Sequence, residues 1–213
     1  MNSNLKRDEI PLKQAQNWRK NFKEEENLTF NLIVPQIILE KGTYKKLAGE
    51  NENRIRIYLG LESEKENGKF KLCAFAVSAF LLGSGDVYAD YETPVFKLGK
   101  ANEDFSANIV DVIESIRRYR SWRAGELDSK NETAAFRKYI YPKAYLLTKF
   151  ELHGIFNIQD KKEAQIEFGI SKTMNAMISP VVVESRAVDD QSEVFDFSQL
   201  CPPFCDENSI YNS

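Results

Sequence analysis

Cysteine and arginine carry most of the chemistry that this sequence could perform. Near its end runs Cys201-Pro202-Pro203-Phe204-Cys205, two thiols flanking a proline pair. Two nearby thiols can exchange with a disulfide or hold a soft metal ion. Prolines fix their own φ and push the preceding residue toward extended conformations, so Cys201 and Pro202 are both expected to be extended. At about 3.1 Å per residue, an extended run sets the two cysteines roughly 12 Å apart. A disulfide needs Cα atoms about 4.4–6.8 Å apart, so only a sharp turn at Pro203-Phe204 could join them. A structural zinc needs about four ligands, and Cys73 and His153 are the only other soft candidates. The favoured reading is a semi-rigid tail whose Phe195, Phe197, Leu200 and Phe204 pack on the body. A thiol redox switch and a metal site are the alternatives, and no cofactor is assigned.

The second reactive stretch is RRYRSWRAGE, residues 117–126. At helical spacing Arg117 and Arg120 share a face, as do Arg120 and Arg123, and Arg118 neighbours Trp122. Guanidinium forks beside an aromatic ring suit phosphate or another anion. The competing reading is a helix C-terminus, where cations meet the negative dipole end and Gly125 stops the helix. Trp122 is then a core anchor, as Trp18 is in the first helix. His153 is the single histidine and reads as a surface or capping residue. The chain has no GxxxxGK[ST], GxGxxG or HExxH pattern, so phosphate-loop and zinc-protease chemistries lack a sequence basis. Asp86, Asp90, Asp189 and Asp190 are oxygen donors in loops, read as solvated.

Asp196, Phe197, Ser198, Cys201, Pro202, Pro203 and Cys205, with the Ile-Pro-Leu start and the Trp-Arg pair, carry a resemblance. The tail is similar to that of a group of small uncharacterised bacterial proteins ending in Asp-Phe-Ser-x-x-Cys-Pro-Pro-x-Cys. The match is specific at the C-terminus and loose elsewhere. It implies a bacterial origin and no activity.

The elements that must position these residues read as one unit written twice, 1–104 and 105–213, in one compact globule. Trp18-Arg19 is matched by Trp122-Arg123, FNLIVPQIILEKGTYKKL (30–47) by RKYIYPKAYLLTKFELHG (137–154), and RIRIYLGL (54–61) by EAQIEFGI (163–170). KFKLCAFAV (69–77) is matched by NAMISPVVV (175–183), and VYADY (87–91) by VFDF (194–197). Leu12, Ala15, Trp18 and Phe22 recur at helical spacing, as do Ile109, Val112, Ile113 and Ile116. Second helices are expected over roughly 35–48 and 142–155, opened by Pro35 and Pro142. Strict alternation in 54–61 and 163–170 predicts half-buried strands whose polar faces are solvated, with pairing of arginines to glutamates across the halves as the alternative. The fold class is therefore α+β: two α-β-α-β-β units in a pseudo-two-fold arrangement, their antiparallel strands covered by helices on one side.

Charge narrows the function. Residues 1–104 carry 16 basic and 16 acidic groups, and residues 105–213 carry 13 and 16, for a net charge of −3. Neither half has the basic excess of a protein that works by neutralising phosphates, so nucleic acid is not an expected partner. The longest apolar run, CAFAVSAFLL (73–82), is about half of what a spanning helix needs. With no apolar core at the N-terminus and an odd number of cysteines, the expectation is a cytoplasmic protein without a membrane. The function expected is non-enzymatic interaction or assembly, through a protein partner or self-association. A thiol redox or metal-dependent protein using Cys201 and Cys205, and a binder of an anionic small molecule at Arg117, Arg120, Trp122 and Arg123, are the alternatives.

Overall fold

A computed structural model describes residues 10–29, 31–83, 85–99, 105–127, 139–178, 181–182, 194–195 and 199–212. Helix α1 (Leu12–Thr29) follows Pro11, which suits a first turn. It leads through β1 (Leu32–Ile33) and β2 (Ile37–Glu40) to α2 (Lys41–Ala48), then to the long strands β3 (Arg54–Leu61), β4 (Phe70–Leu81) and β5 (Tyr88–Leu98). After β6 (Phe105–Ser106) comes α3 (Ile109–Ala124). Asn108 caps the start of α3 by accepting from Val110 N–H at 2.8 Å, and Gly125 ends it at φ 79°. Beyond it lie β7 (Ala144–Leu146), α4 (Lys149–His153), a π-helical turn (Gly154–Ile158) and β8 (Glu163–Ile166). The chain closes with β9 (Gly169–Ser171), β10 (Ala176–Ile178), β11 (Val181–Val182), β12 (Val194–Phe195), β13 (Gln199–Cys201) and a 3-10 turn, Ile210–Asn212.

One sheet has the order β13-β7-β3-β4-β5-β6, with β1 parallel to β4, and a second has the order β2-β8-β11-β12. A hairpin joins β9 to β10. The α+β class is what the structure has. Each half lends a strand to the other: β7 pairs with β3, and β2 pairs with β8. The helices cross over too, with α3 lying on β3 and α1 on β9.

That exchange corrects the expected second helices. Ile37–Glu40 and Ala144–Leu146 are strands, because their apolar side chains are buried by pairing with the opposite half. Tertiary pairing outranks the local helical reading there, leaving helix over 41–48 and over 149–158, the latter π-helical from Gly154. The second alternating run divides into β8 and β9. Coverage of the large sheet is two-sided rather than one-sided. Ile55, Ile57, Leu59 and Leu61 share a core cluster with Tyr44 and Leu47 of α2. Tyr58, Phe75 and Val77, on the opposite face, cluster with Val112 and Ile116 of α3 and with Cys201 and Tyr211 of the tail. The polar face of β3 is therefore not solvated, and every residue from Arg54 to Leu61 is buried.

Glycine sets the helix-to-sheet spacing twice. A Cβ on Gly60 would lie 2.4 Å from Ser115 Oγ and 2.7 Å from Phe75 Cε2. One on Gly169 would lie 2.8 Å from Trp18 Cβ. Trp18 and Trp122 do not occupy matching places: Trp18 lies against Gly169, whereas Trp122 lies between Tyr119 and Tyr141. No helix among the described residues is long and apolar enough to cross a membrane.

Gly60→Val is expected to destabilise the fold by about 1–3 kcal/mol through overpacking. The cost should be smaller in the Gly60→Val/Ser115→Ala background. Urea unfolding of the three chains checks this.

Candidate functional site

Alternation places Arg54, Arg56, Tyr58 and Gly60 on the β3 face that receives α3 and the tail. A charged side chain there needs partners, because burial of an unpaired guanidinium is costly. Arg56 finds them on β5. It forms an ion pair with Asp90 in which both side chains are 1% exposed, and its Nη2 donates to Tyr88 O at 3.1 Å. The Tyr58 hydroxyl donates to the other Asp90 oxygen at 2.6 Å. Burial raises Asp90 above its ordinary value, against the opposing pull of Arg56 and Tyr58. Burial and the Asp90 charge together raise Tyr58. Arg54 donates to Leu147 O at 2.8 Å and lies over the Tyr88 ring. Neither arginine therefore pairs with the glutamates of 163–170. Glu167 instead accepts from Arg19 of α1 at 2.6 Å.

The tail closes over this network. The expected extension of Cys201-Pro-Pro-Phe-Cys205 does not occur. Both Cys201–Pro202 and Pro202–Pro203 are cis, and Phe204 N–H donates back to Leu200 O at 3.0 Å. The chain turns, and Cys201 and Cys205 form a disulfide with Cα atoms 4.8 Å apart. Before the turn, β13 is laddered to β7, and Lys143 N–H donates to Cys201 O at 2.8 Å. After it, residues 206–212 form a strap held largely by side chains. Asp206 Oδ2 accepts from Asp90 N–H at 2.8 Å, and Ser209 Oγ lies 3.3 Å from the Tyr58 hydroxyl. Tyr211, 1% exposed, packs its ring at a tilt against that of Tyr58, centroids 5.4 Å apart, and its hydroxyl donates to Glu92 O. Burial pushes the Tyr211 phenol up to about 12. Arg120 Nη2 donates to Tyr211 O at 2.5 Å and to Asn212 Oδ1 at 3.1 Å.

The sequence-derived candidates thus separate. Of the arginine group, Arg120 touches the strap, Arg117 is exposed and Arg123 is half-buried. Arg118 donates to Leu61 O at 3.1 Å. Trp122 is 2% exposed, stacked on Tyr119 and edge-on to Tyr141. Its place is in the core, which corrects its assignment to a binding surface. Lys143 stands near this basic face, where burial first, then Arg120 and Arg123, lower its pKa. In the tail, Cys201 is fully buried and Leu200 packs on the core, but Phe204 is 39% exposed and does not anchor the tail. Phe197 and the side chain of Phe195 lie outside the described residues, as do Asp189 and Asp190. Cys73 is buried beside Ser115, and desolvation pushes its thiol up to about 12. His153 is on the surface, its Nδ1 3.0 Å from Asn157 Nδ2 and 3.5 Å from Glu52 Oε1. Among the described residues no three His, Cys, Asp or Glu side chains cluster as a metal site.

Asp90, expected as a solvated loop carboxylate, lies instead in β5 with its side chain 1% exposed, and Arg56, Tyr58, Asp206, Ser209 and Tyr211 were not singled out as a site from sequence. The one available signal was two arginines on the polar side of an otherwise core-forming strand.

Arg56→Met leaves the Asp90 charge buried without its partner and is expected to cost about 3–5 kcal/mol at neutral pH. Arg56→Met/Asp90→Leu should recover most of that loss, measured by denaturant unfolding of both chains.

Comparison with protein-family models, with curated proteins and with solved structures finds no match for this chain.

Proposed function

We propose that this protein is a non-enzymatic interaction or assembly protein: an interlocked body of two similar units that presents an apolar β-ribbon to a protein partner. The observation that carries the reading is at the end of the β4–β5 hairpin. The last β3–β4 pair is Arg54↔Ala79, while β4 and β5 continue together through Phe80↔Ala89 and Leu81↔Tyr88. A two-stranded ribbon therefore runs past its neighbour. Leu81 is 50% exposed, Leu82 48%, Val87 57% and Tyr91 43%, and Phe80 packs on Tyr91 at 4.5 Å. Several large exposed apolar side chains gathered at one hairpin end are the kind of feature that marks an interaction surface.

Pair registers support the two-copy body. In the first half Ile57↔Ala76 and Arg56↔Val77 lead on to Ala76↔Phe96 and Val77↔Val95. In the second, Ile166↔Val181 and Gln165↔Val182 lead on to Val181↔Phe195 and Val182↔Val194. Val95-Phe96, rather than VYADY, is thus the counterpart of Val194-Phe195. The parallel contact Ile33↔Lys71 has its counterpart in Ile140↔Ala176. Asn21 of α1 donates to Ile170 O at 3.0 Å, and Arg118 of α3 donates to Leu61 O at 3.1 Å. That correspondence matches Trp18 with Ser115, not with Trp122. A duplicated chain that exchanges elements imitates a two-fold dimer.

A second reading, an anionic small molecule held beside Arg120, is favoured by one observation. Among the described residues, no carboxylate lies within ion-pair distance of Arg117, Arg123 or Lys143.

A photo-crosslinking residue at Leu82 is expected to give a discrete adduct of constant mass in cells making the full chain, and one at Lys13 is not. The adduct's mass separates a second copy from another protein. No adduct, or an unresolved smear from both positions, would overturn the ribbon as the contact surface.

A further inference from the structure

The bridge stands at the joint between two differently held pieces of tail. On its N-terminal side β13 is fixed by backbone ladder bonds to β7, Gln199↔Leu146 through Cys201↔Ala144. On its C-terminal side the strap depends on the side chains of Asp206, Ser209 and Tyr211 and on the Arg120 fork. The bridge holds Cys205, the residue just before the strap, with its Cα 4.8 Å from that of Cys201 at the end of β13. Cutting it would leave the ladder intact and free the strap to lift. Cys201 is fully buried, Cys205 is half-buried, and exposed Phe204 flanks it. An incoming thiolate therefore meets the sulfur of Cys205 first.

We infer that Cys201–Cys205 is a reversible thiol–disulfide modification site that latches the strap over Arg56, Tyr58 and Asp90, and that its reactant is a dithiol. One thiolate of the dithiol attacks Cys205 Sγ. A mixed disulfide forms there, and Cys201 leaves as a thiolate that takes up a proton. The second thiol of the dithiol then displaces Cys205. The protein gains two electrons and two protons and becomes the dithiol, and the reagent becomes its own disulfide. Cys73 stands apart from this exchange, since its thiol is buried and kept protonated. A ring this small restricts the open chain by a factor of roughly thirty. Reduction should raise the lifted population by about that factor, uncovering the Arg56–Asp90 pair and the outer edge of β5. This inference does not depend on the ribbon contact and fails separately from it.

The full-length oxidised protein is treated with glutathione, then alkylated and mapped by mass spectrometry. The glutathione adduct is expected on Cys205, with Cys201 alkylated and Cys73 untouched. In dithiothreitol the Asp90 amide, which donates to Asp206, should exchange with solvent about thirty-fold faster, while the Ile57 amide inside the sheet is unchanged. Cys205→Ser should show the same acceleration without reductant. An adduct on Cys201, a bridge that resists the reductant in the folded protein, or an Asp90 amide unaffected by both reduction and Cys205→Ser would overturn the inference.

Discussion

A guanidinium and a carboxylate held out of water impose the strictest condition on this molecule. The side chains of Arg56 and Asp90 are each 1% exposed, and taking two charges from water costs several kcal/mol per ion before their attraction returns any of it. That attraction suffices only when the remaining polar valences are met. Tyr58 and the Tyr88 carbonyl meet some of them within the sheet, and the strap supplies Ser209 to the Tyr58 hydroxyl and Asp206 to the Asp90 amide. Residues 206–212 are thus a cover whose polar groups match what the sheet presents. The same strap blunts an open edge, since the outer backbone groups of Asp90 and Glu92 bond to tail side chains instead of to another strand.

Interlocking gives the network its rigid frame. The β3 strand is held between β4 of its own half and β7 of the other, so Arg56 cannot shift without disturbing both. The close approach of α3 at Gly60 fixes the second wall, and Arg120 on that helix holds the strap's last turn. Each half is completed by the other through the β7–β3 and β2–β8 pairings.

Local pattern made part of this legible. The α+β class, the first helix, the helix carrying Arg117 to Arg123, and the strands over 54–61 and 69–77 all follow from periodicity and apolar runs that agree with their final burial. Other features depended on contacts that no short window contains. Ile37–Glu40 has the composition of either a helix start or a strand, and only its pairing with Glu163–Ile166 decides. Arginines on a polar strand face read as solvated until the tail covers them, and the tail's approach depends on a turn that the proline rule opposed. Tyr211 and Asp206 sit in a short polar segment with no periodicity, so nothing local marked them as the groups that close the site. The sequence match of the two tryptophans misled for a related reason: Trp18 lies against Gly169 and Trp122 between Tyr119 and Tyr141, so shared identity did not bring shared surroundings.

The strap's role as a cover over a buried charge pair is tested most directly by titrating the Asp90 carboxyl by NMR in the full chain and in Tyr211→Ala. Burial is the largest influence on Asp90 and raises it above the usual 3.8. Lifting the strap admits water and so removes the largest, raising influence; it takes away the smaller opposed pulls of Ser209 and Asp206 as well, and leaves Arg56 and Tyr58 to pull the value down. The account predicts a raised Asp90 in the full chain and a distinctly lower one in Tyr211→Ala. An Asp90 that titrates at the same pH in both proteins would contradict it.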